Sequence, residues 1–320
     1  MQTLKFLPLL TLSLALGVGC DPSAELDDEG PISLRPGGGG SGGVYLNTSS
    51  IGSTPFSEMD LTGALHDGVR ITGVKLLRPN NQWLWAEKGE IKDGNLRAKV
   101  GKTYYVGQDL VGSRWMLELV DAQGTVTPKE LWISEIAVIS PKETRYTFQT
   151  TDALGQAQYR CEGGSAGLHT AVAIKGVTID PFTGDMAPRL NTMYFGCTSG
   201  AVGKAAVWGY KPWERTLAEF AAAVRMVRAD YCFDGMSWTS TGTPLQVKDR
   251  WSINDFVSTA EPTEVVWTRT GVACITQPRV LTYAAEQVTC DGQPIPACPA
   301  NLTMTTYMDA QYWTRLAPPQ

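Results

Sequence analysis

The sequence predicts a β-rich α+β fold: an N-terminal antiparallel β-sandwich or barrel-like region over 44–151, followed by a disulfide-stapled α+β domain over 152–320. Three observations predict it. Short alternating or β-rich runs fill the first region, one apolar stripe at helical spacing lies in the second, and the second holds six of the seven cysteines. With 320 residues and 43% hydrophobic content the chain can bury a substantial core.

The first forty-three residues stand apart. "MQTLKFLPLLTLSLALGVGC" has one charge, Lys5, an apolar run from Phe6 to Leu16, and small residues leading to Cys20. It reads as a secretory signal over 1–19, too short for a membrane span. The ending "LGVGC" resembles a bacterial lipobox, although Gly17 stands where a leucine is usual; Cys20 would then carry lipid and become the mature N-terminus. Residues 20–43 are acidic and then glycine-rich, without apolar periodicity, and cannot bury enough surface to fold. As a coil, a tether of that length would hold the folded part roughly 25 Å off a membrane. The formal charge is −5 overall, +1 before residue 20 and −4 over 20–43, which leaves −2 for the rest. A folded part so near neutrality excludes an electrostatic footprint for nucleic acid.

From Val44 to Thr151 the runs "VRITGVKLL", "TYYVGQDL", "RWMLELVD", "ELWISEIAVI" and "TRYTFQTT" alternate with turn formers such as "KDGN", "DAQGT" and "SPKE". Strands at this spacing with no helical stretch between them predict an antiparallel sandwich or barrel. Trp83 and Trp85, at i and i+2 of "NQWLWAE", share one face of a strand. If that face meets solvent it is a candidate aromatic binding platform, since flat apolar rings with polar edges hold sugars and peptides.

From Asp152 onward the expected main helix covers about 212–231. Trp213, Leu217, Phe220, Val224, Val227 and Tyr231 recur at spacings of three and four, with Pro212 in the first turn and Glu219, Arg225 and Arg228 on the polar side. Cys232 falls at the C-terminal end of this helix, where backbone carbonyls disfavour a thiolate. That position predicts a structural half-cystine. Asp230 opposes the helix dipole and is expected to cap the turn or pair with Arg225 or Arg228. The following residues read as a turn at Asp234-Gly235 and a hairpin folded at Thr241-Gly242.

Setting Cys20 aside leaves Cys161, Cys197, Cys232, Cys274, Cys290 and Cys298, an even set suited to an oxidising compartment. Six cysteines allow fifteen pairings, and spacing does not choose among them. Proximity along the chain favours Cys161–Cys197, Cys232–Cys274 and Cys290–Cys298.

"GAVGKAAVWGYKPW" (Gly200 to Trp213), "RMVRADYC", "DGMSWTSTGTPL" and "VVWTRTGVACITQPR" (Val265 to Arg279), in this order, resemble the ADYC domain of bacterial exported proteins. The likeness runs from about Tyr159 to Cys290, and "LNTSSIGSTPFSEMDLTG" is similar to the leader of such proteins. The family commonly has cysteines near Ala206 and Ala223; their joint absence implies one disulfide lost as a pair. The resemblance implies no activity.

Catalytic motifs are weak. "GGSAG" (Gly163 to Gly167) matches the nucleophile elbow, but His169 and His66 do not follow Ser165 in the Ser, acid, His order of that fold. "SGAVGKAA" lacks phosphate-loop spacing and has Ala205 where a hydroxyl is needed. Two distant histidines and no metal-ligand spacing imply no metal or cofactor. Asp180, Asp185, Asp249 and Asp255 could serve a hydrolase only by converging in space. Two functions remain: a lipid-anchored extracytoplasmic module that binds a polysaccharide or protein or scaffolds the envelope, and an exported hydrolase with dispersed carboxylates. A cleft of partly buried acids would favour the second, a flat face of exposed aromatics the first.

Overall fold

The computed structural model describes residues 45–51, 54–163, 167–239, 243–257, 262–280 and 283–316. The signal segment, the proposed lipid site Cys20, the tether 20–43, Ser165 and the turn at Thr241-Gly242 lie outside the described residues. The expected strand-rich architecture is observed. In chain order the elements are β1 (Ser50–Ile51), β2 (Thr54–Pro55), β3 (Glu58–Asp60), β4 (Val69–Leu77), β5 (Trp83–Ala86), β6 (Lys88–Lys92), β7 (Asn95–Val100), β8 (Thr103–Val106), β9 (Arg114–Val120), β10 (Val126–Ser140), β11 (Glu143–Thr151), β12 (Ala157–Tyr159), β13 (Thr170–Ile179) and β14 (Met186–Cys197). Then come α1 (Ala201–Val207), α2 (Leu217–Arg228), β15 (Leu245–Asp249), β16 (Val265–Trp267), β17 (Val272–Ile275), β18 (Thr289–Cys290), β19 (Gln293–Pro294) and β20 (Tyr312–Leu316).

Nine strands form one antiparallel sheet in the order β3-β14-β13-β11-β10-β9-β4-β5, with β12 paired to β11. The border drawn at residue 151 falls inside it, because β13 follows β11 as a direct neighbour. One face is closed by the β6-β7-β8 meander, whose Ile91, Leu96 and Ala98 share a core with Trp115, Ile133 and Tyr146. Gly89 lies on the Trp115 ring, where a Cβ would come within 2.7 Å, and the Leu96 N–H donates to the Tyr146 hydroxyl at 2.7 Å.

The opposite face is covered over β13 and β14 by the helices, through Val172, Ile174 and Tyr194. Over 171–174 and 192–197 these two strands are buried on both faces, which is why "TAVAI" and "MYFGC" are continuously apolar rather than alternating. In α1, Gly203 is pressed against β14 so closely that a Cβ would lie 2.1 Å from the Cys197 carbonyl oxygen. The "SGAVGKAA" glycine therefore serves close packing.

Over α2 the four-stranded sheet β15-β20-β16-β17 forms a further layer, tied down by the Tyr312 hydroxyl donating to the Glu219 carbonyl at 2.7 Å. Two expectations are corrected here. The helix starts at Leu217 rather than Pro212, because Thr216 and Glu219 close a capping box, and it ends at Arg228 with Ala229 left-handed. Secondly, beyond its first turn α2 is enclosed, so Glu219, Arg225 and Arg228 are buried rather than on a polar face, each held by a hydrogen bond. Among the described residues no helix is long and apolar enough to cross a membrane.

Candidate functional site

On β5, Leu84 and Ala86 pack inward while Trp83 and Trp85 point away from the core, 43% and 60% exposed. The sheet register extends this pair into a row. Trp85 faces Lys75 on β4, Lys75 faces Arg114 on β9, Arg114 faces Trp132 on β10, Trp132 faces Gln149 on β11, and Gln149 faces Tyr159 on β12. Directly opposed residues share a face. Six strands thus supply one row of side chains, roughly 24 Å long at about 4.8 Å per strand.

The side-chain contacts agree with the register. The Arg114 guanidinium lies 4.4 Å from the Trp132 ring centre, the Lys75 ammonium 4.9 Å from that of Trp83, and the Trp132 indole N–H donates to Gln149 Oε1 at 3.1 Å. Glu130 sits between the two cations, 3.1 Å from Lys75 and 3.8 Å from Arg114. Gly73 is the seat of Trp85: a Cβ there would lie 2.8 Å from the ring. A β-bulge between Ile71 and Gly73 turns Gly73 and Lys75 outward while Val74 and Leu76 stay in the core. At the far end Tyr159, 48% exposed, stacks on His169 at 4.1 Å, and the His169 Nδ1 bonds the Cys161 carbonyl at 2.8 Å. The result is a strip of aromatic rings and paired charges that crosses six strands.

The "ADYC" stretch is a joint. Ala229 adopts φ +53° to end α2. Asp230, fully buried, accepts from the N–H groups of Asp234 and Gly235, both at 3.1 Å, and from Arg225 at 3.0 Å. Burial pushes its carboxyl up to about 6, against the opposing pull of Arg225 and Arg228. The Tyr231 hydroxyl donates to Glu264 at 2.8 Å and accepts the Arg279 N–H at 2.7 Å. Arg279 pairs with Glu264 and caps α2 through the carbonyls of Met226 and Val227 at 3.0 and 2.9 Å. Cys232 is disulfide-bonded, as its position at a helix end predicts. The ADYC domain model matches residues 107–281. The chain belongs to the ADYC domain family. No curated protein and no solved structure matches it.

In this ADYC protein the pair Cys161–Cys197 forms as expected, but the other two pairings differ: Cys232 joins Cys290, and Cys274 joins Cys298. Proximity along the chain misleads because backbone pairing decides. A parallel bridge sets Ala297 beside Ile275, and the Cys298 N–H donates to the Ile275 carbonyl, so Cys298 arrives next to Cys274. Ala206 and Ala223, near which the resemblance implies cysteines, are buried in one core on α1 and α2. The strand β20 lies beyond the matched residues yet sits between β15 and β16.

The acids proposed for hydrolysis have local partners. Asp180 holds the turn through Phe182 and Thr183, Asp185 pairs with Arg225, Asp249 receives the N–H groups of Trp251, Ile253 and Asn254, and Asp255 pairs with Lys248. Glu58, His66 and Asp67 do gather, but Glu58 faces His66 Nε2 at 2.7 Å and Asp67 faces Nδ1 at 3.6 Å. Glu58 is further engaged by the Thr178 hydroxyl and the Ile179 N–H. Trp83 and Trp85 are visible as a pair in the sequence, whereas Lys75, Arg114, Trp132 and Tyr159 join them only through the sheet register. A signal for Trp132 was present: Glu130, Trp132 and Ser134 alternate with Leu131 and Ile133 in "ELWISEI".

Proposed function

We propose that this ADYC protein is an exported, lipid-tethered module that binds an extracellular polysaccharide along the Trp85-to-Tyr159 row, without chemistry of its own. The row carries the reading. Rings on a fixed sheet lose little freedom on binding, and sugar rings stack on indole faces while their hydroxyls reach the flanking Lys75, Arg114 and Gln149. A strip perpendicular to the strands suits an extended chain rather than a single small molecule. Three disulfides support export to an oxidising compartment. The lipobox-like "LGVGC" and the acidic, glycine-rich 20–43 support an anchor at Cys20 with a flexible spacer.

Co-sedimentation with cellulose, chitin, xylan and mannan tests the binding. Retention on at least one polymer is expected, with Trp85→Ala and Trp132→Ala each weakening it about ten-fold, equivalent to ~1.4 kcal/mol. Equal retention of both variants, or no retention of the parent on any polymer, contradicts the reading. Mass spectrometry of the mature N-terminus tests the anchor: an acylated Cys20 supports it, and an unmodified one removes it.

A further inference from the structure

Arg114, at the centre of the row, is charged, oriented and without a hydrogen-bond acceptor. Its guanidinium lies over the Trp132 ring at 4.4 Å, and the Trp132 indole is itself held by donating to Gln149. The acid beside it is Glu130, whose Oε1 accepts from Lys75 at 3.1 Å and whose Oε2 stays 3.8 Å from Arg114, beyond hydrogen-bonding distance. Among the described residues no protein acceptor receives an N–H of the Arg114 side chain, which is 30% exposed. We infer that Arg114 sets the specificity of the row by seating a sugar carboxylate, so that the chain it takes is a polyuronate. The inference rests on the polysaccharide reading above and adds to it the class of sugar.

The chemistry of the guanidinium decides the class. Its planar fork of N–H donors matches the two oxygens of a carboxylate, and such charge-assisted bonds are roughly twice as strong as neutral ones. Contact with the indole orders the side chain in advance, so little rotamer freedom is lost when a ligand arrives. The charge balance agrees. Lys75 and Arg114 set two positive charges against the single Glu130, while Arg70 and Glu118, further along the same face, pair with each other and cancel. Because Arg114 lies over the Trp132 ring, a chain crossing at this point meets the guanidinium, whereas Trp85 and Tyr159 remain exposed for stacking at either end. A neutral chain can use those rings but leaves the fork to water.

Calorimetric titration of the full chain with hexagalacturonate and hexamannuronate, against glucose-, xylose- and mannose-based hexasaccharides, tests the assignment. At least one uronate is expected to bind about ten-fold or more tightly than every neutral hexamer. Arg114→Lys keeps the charge and loses the fork, so it should weaken that uronate about ten-fold while leaving the neutral hexamers and the melting temperature unchanged. Glu130→Gln keeps an acceptor for Lys75 and removes the competing charge, and it should tighten the uronate alone. If a neutral hexamer binds as well as both uronates, if Arg114→Lys weakens all hexamers equally, or if Glu130→Gln leaves the uronate unchanged, Arg114 does not set the class and the polysaccharide reading stands. If no hexasaccharide binds at all, the polysaccharide reading itself fails.

Discussion

Removing the Cys232–Cys290 disulfide is expected to destabilise the fold by about 4 kcal/mol without changing its architecture. The two cysteines are 58 residues apart, and a cross-link closing a loop of that length removes roughly 4 kcal/mol of chain entropy from the unfolded ensemble at 25 °C. The local consequence adds to this. Cys290 lies on the two-stranded β18–β19 pair, too small to be stable alone, and the disulfide ties it to the end of α2. Cys232→Ala with Cys290→Ala avoids leaving a lone thiol. Guanidinium unfolding of parent and double variant under non-reducing conditions gives the difference, and the thermal midpoint should fall by roughly 10 °C. Peptide mapping of the unreduced parent should yield fragments joined Cys232–Cys290 and Cys274–Cys298. A Cys232–Cys274 fragment, or a double variant within about 1 kcal/mol of the parent, would refute the account of the joint.

Other consequences follow from the same core and face. The raised Asp230 carboxyl, at about 6 when folded against an ordinary 3.8, makes folding take up a proton between these values. Stability should therefore be fullest below about pH 4 as far as this group is concerned and fall by up to ~3 kcal/mol as pH rises to about 6, and Asp230→Asn should abolish that slope in urea melts. Arg279→Met strands buried Glu264 and uncaps α2, which should cost about 3–5 kcal/mol, part of it recovered by adding Glu264→Gln. Gly73→Ala should push Trp85 off its seat, leaving the melting temperature nearly unchanged while lowering retention on the polysaccharide that binds the parent.

What was legible in the sequence was what repeats along one element. The alternation in "VRITGVKLL" and "RWMLELVD" marks strands with one core face, and the stripe from Trp213 to Tyr231 marks a helix, realised over Leu217–Arg228. The β13–β14 hairpin is not legible, because where these strands are covered on both faces they lose the alternation that reveals a strand. The short α1 gives too few turns for a period to register. Arg225 and Arg228 read as polar-face residues because nothing in α2 itself announces that the turn at 180–185 and the loop at 230–235 close over them. The row of the candidate site depends on register between six strands, which no single segment encodes; Trp83 and Trp85 were visible only as neighbours on one strand. The disulfides fail for the same reason: Cys298 reaches Cys274 through backbone pairing of distant segments.

Hydroxyl-radical footprinting with and without the polysaccharide that retains the protein tests the central claim most directly, because it reads every aromatic side chain in one experiment. The account predicts protection of Trp85, Trp132 and Tyr159 together, with buried Trp115 and Trp267 unaffected and Trp213 and Trp251, away from the row, unchanged. Protection at Trp213 or Trp251 with Trp85 and Trp132 left reactive would contradict it.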